Sequence, residues 1–256
     1  RERRPWIPQV ACFDTAFHRS HSDVADRYAL PERLYQEGVR RYGFHGLSYE
    51  YIAQRLKKAL PDIADGKIIA AHLLGRFGLR HAARQERGQH HGLHRAGRPA
   101  HGHPPRPPGP GRGAVDDGTR HDPRRDRASA LSRLRHEGLS GISNDMRELL
   151  ASDAPSAKLA LQYFAWRVAE GMIGLACAMN GVDGIVFTAG VGENSAEIRQ
   201  AISEHWGWLG IKLDPERNAR HGPRISADDS RIGVYVVRTN EELIIAQHTL
   251  ELVRQR

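Results

Sequence analysis

The chain has 256 residues, enough to bury a sizeable core in one or two domains, and it carries a formal net charge of +8 with only two cysteines. It contains no apolar run of membrane-spanning length, and its opening residues, Arg1 to Trp6, are charged and lack the apolar centre of a signal peptide. Two cysteines are too few for a disulfide scaffold. Cys12 and Cys177 lie far apart among apolar residues and are expected to be buried free thiols in a cytoplasmic protein. Because Arg1 is not a start methionine, further sequence is expected upstream of it.

Val10 to Phe13 is a short apolar run ending at Asp14. It reads as a strand that delivers a carboxylate at its edge, or one whose Asp14 only caps the next turn. Pro31 to Glu37 suits a short helix. Arg40 to Gly46 mixes glycine with polar residues and reads as a loop presenting Arg41, Phe44 and His45. Ser48 can cap a helix through Leu60, in which Ile52, Leu56 and Leu60 recur at helical spacing before Pro61 stops it. Lys67 to Ala71 reads as a buried strand ending at His72.

The character then changes. From Leu74 to Arg135 there are fourteen arginines, no lysine and five acids, so this stretch carries +9 and the rest of the chain −1. The basic balance therefore belongs to one segment and is a poor guide to partners. With seven histidines, seven prolines and no apolar period, the segment cannot offset roughly 1–2 kcal/mol of backbone entropy per residue, and no regular structure is expected from 74 to 138.

Past the segment, Asp145 to Leu150 opens a helix. Ser156 can cap a longer one whose broad apolar face ends at Asn180-Gly181. Gly184 to Thr188 is a short buried strand, and Ala189 to Asn194 a glycine loop. Ser195 can then cap a helix reaching about His205. Trp206 to Leu213 is an apolar connection, Arg231 to Val237 alternates as a strand, and Glu241 to Arg254 is a final amphipathic helix. Strands alternating with helices predict an α/β fold with a largely parallel sheet.

The chemistry centres on Gly184-Ile-Val-Phe-Thr-Ala-Gly-Val-Gly-Glu-Asn-Ser195. Glycines let a backbone approach a ligand closely, and amides at a helix start favour an anion, so strand, loop and helix together can cradle a nucleotide phosphate. Two glycines alone are equally a plain strand-to-helix turn. The longer string resembles the adenosine loop of the acetate kinases, and four more strings match that family in order. They are Phe13-Asp-Thr-Ala-Phe-His18, Arg40-Arg-Tyr-Gly-Phe-His-Gly46, Gly141-Ile-Ser-Asn-Asp-Met-Arg147 and Thr239-Asn-Glu-Glu-Leu243. The resemblance covers about residues 8–73 and 138–254 and fails between them. If His90 to Pro104 is written in GC-rich codons and shifted by one base, the text Thr-Met-Gly-Phe-Thr-Ala-Leu-Asp-Gly-Leu-Pro-Met-Gly-Thr emerges, which resembles the missing family segment. Roughly 74–138 is therefore read as translated out of frame.

The resemblance implies the actin-like ATPase fold (acetate and sugar kinases), present in part and mainly as its second domain. Residues 1–14 would end the first domain, 15–238 form the C-terminal domain, and 239–256 return as a helix to the first. The implied reaction is phosphoryl transfer between ATP and acetate, giving acetyl phosphate and ADP. Such a transfer needs in-line positioning and donors or positive charge around the equatorial oxygens. By resemblance, Asp14 and His45 are catalytic, the first as a positioned carboxylate and the second as a transition-state donor. ATP contacts would come from His72 and Leu73, from Asp145, Met146 and Arg147, and from Gly190, Val191, Gly192, Glu193 and Asn194. Glu241 would serve Mg²⁺, for which a hard oxygen ligand is apt. The family's phosphate loop and acyl-binding arginine would lie upstream of Arg1, and its second transition-state arginine inside the out-of-frame part, so this chain is expected to be inactive as written. The family also implies a homodimer, with no membrane and no specific nucleic acid as partners. A propionate kinase shares nearly all these motifs, and a non-catalytic nucleotide-binding remnant with a non-specific basic segment is a further alternative. Taken singly, His45 could be a loop histidine, Glu241 a first-turn helix acid and Arg147 a surface ion-pair partner.

Overall fold

The computed structural model of the protein describes residues 6–20, 22–74, 79–87, 90–94 and 136–255. Short helices α1 (Asp23–Asp26) and α2 (Glu32–Gln36) precede α3 (Gly46–Ala59) and α4 (Pro61–Ala64). Strands β1 (Ile68–Leu73), β2 (Leu79–Arg87) and β3 (His90–His94) follow, then helices α5 (His136–Ser140), α6 (Met146–Leu150) and α7 (Pro155–Ala178). Strand β4 (Gly184–Thr188) leads into α8 (Ala189–Asn194), α9 (Ala196–Glu204) and α10 (Pro215–Ala219), and β5 (Gly233–Val236) into α11 (Glu241–Arg254).

Among the described residues the strands form one sheet in the order β3-β2-β1-β4-β5. β1 and β4 run parallel, Ile68 opposite Gly184 and His72 opposite Thr188, and β4 and β5 are also parallel. Every residue of β1 and β4 is buried, which is why both read as unbroken apolar runs rather than alternating ones. Ile69, Ala71, Leu73, Ile185, Phe187 and Val234 join a cluster with Met146, Phe164, Val168, Met172, Ile202 and Trp206 from α6, α7, α9 and the turn after α9. Ile68, Ala70, Val186 and Tyr235 join Tyr49, Ile52 and Leu56 of α3 in a second cluster. Successive strand residues face opposite sides, so the core is layered helix, sheet, helix. α11 packs on α3, where His248 Nε2 meets Glu50 Oε1 at 2.7 Å.

The chain punctuates these elements as physical chemistry requires. α7 ends where Asn180 and Gly181 take positive φ of 55° and 129°, and the Gly181 amide closes the turn on the Ala176 carbonyl at 2.9 Å. Ser195 Oγ accepts from the Ile198 amide and starts α9.

Several expectations change. Residues 10–13 have no strand pairing. The apolar run is too isolated to find a ladder and instead lies beside α11, next to Leu252 and Val253. Ser48 does not cap α3, which starts two residues earlier with His45 at its boundary. Ser156 does not cap α7; its hydroxyl donates to the Ser140 carbonyl at 2.7 Å and ties the helix to α5. Ala189 to Asn194 is a short helix rather than an open loop. Cys177 is exposed and Cys12 half-buried, because each falls on the outer side of its segment.

The stretch expected to lack regular structure from 74 to 138 contains β2 and β3, and α5 begins inside it. β2 pairs antiparallel with the edge of β1 that β4 leaves open, and β3 pairs with β2. A ladder is made by backbone groups and needs little of the sequence beyond the absence of proline. All seven prolines of the segment fall between residues 99 and 123. Residues 95–135 lie outside the described part of the chain.

Candidate functional site

β1, β4 and β5 are parallel, so their carboxyl ends share one edge of the sheet, the edge at which open α/β folds bind ligands. His72 is the penultimate residue of β1 there. Beyond β5, the chain turns at Thr239 into α11, whose first residue is Glu241. His45 comes from a third direction, at the boundary of α3. The ligand atoms of His45, His72 and Glu241 all lie within 4.8 Å of one another. The two imidazoles stack, with centroids 4.5 Å apart and planes inclined by 15°. His72 is buried, while His45 and Glu241 are half-buried, so the cluster opens on their side.

The surrounding backbone holds this cluster in place. His45 has φ 56°, a left-handed conformation that costs a non-glycine residue about 1–2 kcal/mol. It is fixed by the next residue, for the Gly46 amide donates to the Asp14 carbonyl at 3.0 Å. A Cβ on Gly46 would come 2.1 Å from that oxygen, so only glycine permits the approach. Asp14 thus reaches the site region through its backbone and remains half-buried, outside the three-residue cluster.

A second chain of contacts anchors Glu241. Thr239 Oγ1 donates to Ser48 Oγ at 2.9 Å, and the Ser48 hydroxyl donates onward to Glu241 Oε1. Ser48 is fully buried in the first turn of α3, so this relay locks α11 to α3. Glu193 works similarly at the end of β4. Its Oε1 accepts from the Ala189 amide at 2.8 Å and the Thr239 amide at 3.0 Å, joining α8 to the turn after β5. Ala189 also has a left-handed φ, 64°. Two of the four non-glycine residues with positive φ among the described residues therefore stand at this edge, and strain of this kind concentrates where a geometry is functionally required.

The turn Gly190–Asn194 is built by packing as much as by openness. Gly190 is exposed, and Asn194 Nδ2 donates to its carbonyl at 2.8 Å. Gly192 is buried, and a Cβ there would meet the Phe187 carbonyl carbon at 3.4 Å and the Ala71 oxygen at 3.5 Å. Those are ordinary van der Waals distances, so the close packing of α8 on β1 and β4 leaves room there for little more than a methyl group. Val191 and Leu73 are buried in the core. Met146 is fully buried as well, so any ligand contact by Leu73 or Met146 falls to the backbone. Asp145 caps α6 by accepting from the Arg147 amide at 2.9 Å, and Arg147 Nη2 donates back to its carboxylate at 2.6 Å. Arg147 is exposed and Asp145 half-buried.

Arg199 is a residue that sequence reasoning passes over. It is fully buried in α9 and donates to Gly192 O at 2.9 Å, Asn218 Oδ1 at 2.8 Å, Asn218 O at 2.7 Å and His221 Nδ1 at 2.9 Å. Burial pushes its guanidinium down to about 10, still charged at neutral pH. Since arginine only donates, His221 must offer the Nδ1 lone pair, which fixes the neutral ring with its proton on Nε2. Burial, followed by the nearby charges of Arg199 and Arg238, pulls His221 below its ordinary value. The available sequence signal was an arginine adjoining the Ile198–Ile202 stripe of an amphipathic helix.

The fold and its polar edge define an α/β protein with a three-residue imidazole–carboxylate site at the carboxyl ends of parallel strands. The profile of the acetokinase family matches residues 1–78 and 132–247. The chain is 48% identical to the acetate kinase of Nitrobacter hamburgensis over 268 residues, covering 98% of this chain and 63% of that one. It is 46% identical to the acetate kinase of Rhizobium meliloti, with 98% and 64% covered. Among solved structures, Porphyromonas gingivalis acetate kinase superposes with a TM-score of 0.75 at 30% identity, covering 98% of this chain and 66% of that chain. A propionate kinase from Francisella tularensis superposes with a TM-score of 0.71 at 27% identity, with 95% and 64% covered. The chain belongs to the acetokinase family. It spans slightly less than two thirds of the length of these relatives, and the family profile leaves residues 79–131 unmatched.

Proposed function

We propose that this chain carries the cleft-facing second domain of an acetate kinase, which transfers a phosphoryl group between ATP and acetate to give acetyl phosphate and ADP. The observation that carries the reading is convergence: His45, His72 and Glu241, up to 196 positions apart in sequence, bring their ligand atoms within 4.8 Å at the carboxyl edge of the parallel strands. In this reading His45 donates to the equatorial oxygens of the migrating group, where donors are worth most. His72 lines the phosphate path, and the Asp14 carboxylate helps position the reacting oxygen. Residues 190–194 and 145–147 border the adenosine. Glu241, oriented by Ser48, suits a Mg²⁺ ion, which binds one or two carboxylates and otherwise keeps water and phosphate oxygens. The ion neutralises phosphate charge when bound. The domain assignment is residues 1–14, 15–238 and 239–256, with a homodimer in the cytoplasm as the working form.

The unmatched stretch supports a further part of the reading: residues 74–138 are out of the family's frame, and the transition-state arginine expected there is lost. Such an arginine is worth about 10³–10⁵ in rate, so the chain as written binds nucleotide but turns over negligibly. Propionate is the competing acyl substrate, favoured by the propionate kinase likeness. Calorimetry with Mg·ADP tests the binding half. Saturable binding that is lost in Gly192→Val, where two methyls would push α8 off β1 and β4, agrees with the reading; equal binding by the folded variant refutes the turn as the site.

A further inference from the structure

His18 is a buried histidine outside the catalytic cluster, and it touches the loop that carries His45. Its Nε2 stands 3.0 Å from the Phe44 carbonyl oxygen. A carbonyl only accepts, so Nε2 carries a proton and donates it. The loop also lies close on the ring: a Cβ on Gly43 would come 1.9 Å from His18 Cγ and 2.0 Å from Cδ2. We propose that His18 is a positioning residue for His45, holding residues 43–46 so that the His45 ring keeps its place beside His72 and Glu241. The inference extends the kinase reading, since it concerns how the transition-state donor of that reading is presented.

The support is double. Residues 13–18 are wound by short-range bonds, from the Ala16 amide to the Phe13 carbonyl at 3.0 Å and from the His18 amide to the Thr15 carbonyl at 3.2 Å. This turn meets the loop at both of its buried glycines. The His18 ring lies against Gly43, and the Asp14 carbonyl against Gly46, where a Cβ would also come 2.8 Å from Phe17 Cβ. Between the two anchors stand Phe44, exposed, and His45, half-buried. His45 has φ 56°, so release of either anchor lets it relax towards the right-handed region. Side-chain rings give a second route between the two histidines. His18 meets Tyr49 edge-on with centroids 5.6 Å apart, Tyr49 meets His72 at 6.0 Å, and His72 stacks on His45. Histidine suits the place because it combines a flat face for Gly43 with an N–H at its edge for Phe44. Placement bears on rate, since a misplacement of about 1 Å at a reacting group can cost about 10²-fold.

The test reads geometry in the 256-residue protein and needs no turnover. With isotope-labelled histidine rings, the contact between His45 and His72 is seen as a ring-to-ring nuclear Overhauser signal, assigned by its loss in His45→Asn. Amide exchange at Gly46, which donates to the Asp14 carbonyl, reports the second anchor. His18→Phe keeps a flat ring and removes the donor. In it the ring signal should vanish and Gly46 exchange should rise about three- to tenfold, the worth of one hydrogen bond, with β4 amides unchanged. His18→Gln sets an amide N–H near the place of Nε2 and should keep the signal, with Gly46 exchange within about twofold of the parent. Gly43→Ala disturbs the same seat with His18 intact and should also lose the signal, so the question is decided even where His18→Phe melts without cooperativity. The proposal is overturned if the parent shows no signal, if His18→Phe or a folded Gly43→Ala keeps it, or if His18→Gln loses it as His18→Phe does. Exchange that rises equally at Gly46 and in β4 would also overturn it, by marking a purely structural role. No acetyl phosphate is measured, so a chain that fails as a kinase leaves these outcomes unchanged and the two readings fall separately.

Discussion

Arg199 offers the most demanding stability test. It is a fully buried cation with no carboxylate among the partners seen, held by four neutral acceptors. In Arg199→Met those acceptors lose their donor. At the low end of about 1–3 kcal/mol per orphaned buried acceptor, four of them cost about 4 kcal/mol. Removing a desolvated charge offsets part of that, which leaves a net loss of about 2–4 kcal/mol. For a chain of this size, each kcal/mol lowers Tm by about 2–4 °C, so the variant should melt roughly 4–16 °C below the parent. Arg199→Lys keeps the charge on a single ammonium that cannot reach all four acceptors, and it should fall between the two. Because one acceptor is the Gly192 carbonyl, amide exchange across 190–194 should rise more in the Met variant than exchange in β1. Calorimetric melting and hydrogen exchange are the assays. A Met variant within about 2 °C of the parent would refute the claim that this network organises the turn.

The neighbouring His221 makes a pH prediction. Its folded value lies below its ordinary 6.5, so the unfolded chain takes up the proton first. Its contribution to stability is therefore full above about 6.5 and declines as pH falls from there towards the lowered folded value. His221→Asn keeps an acceptor and tolerates the left-handed φ of 51°, and it should flatten that part of the Tm–pH curve; an unchanged slope would assign it to other groups. Glu193→Ala removes the carboxylate shared by the Ala189 and Thr239 amides and should cost about 1.5–3 kcal/mol in urea unfolding, with the m-value constant. Gly46→Ala sets a Cβ against the Asp14 carbonyl at 2.1 Å and should destabilise by about 1–3 kcal/mol, whereas Gly174→Ala, with nothing within 4 Å, should not.

Much of this was legible from the chain where the signal was local. Two doubly buried strands announce themselves as apolar runs, and Asn180-Gly181 as a helix stop. The candidate site was legible in part, because His45, His72 and Glu241 stood in strings with a family likeness. Their mutual approach was not, since it depends on how α3, β1 and α11 pack. Side chains that serve distant partners misled the reading. Ser48 looks like a cap and instead relays Thr239 to Glu241, and Ser156 looks like a cap and holds α5. Nothing local marks Arg199 as buried, because its acceptors lie up to 22 residues away. β2 and β3 were missed because their pairing is supplied by the open edge of β1, not by a pattern of their own.

The central claim is that this cluster belongs to a phosphoryl-transfer site. The direct measurement is Mg²⁺-dependent acetyl phosphate formation, trapped with hydroxylamine. The protein to assay is a chimera in which this chain, with residues 74–138 rewritten in the family's sequence, replaces the corresponding part of the Nitrobacter hamburgensis acetate kinase. The account predicts turnover with acetate, a His45→Ala variant whose kcat falls far more than its KM rises, and essentially no turnover when residues 74–138 are left as they stand. A well-folded chimera that is inactive, or one whose His45→Ala variant keeps full kcat, would contradict it.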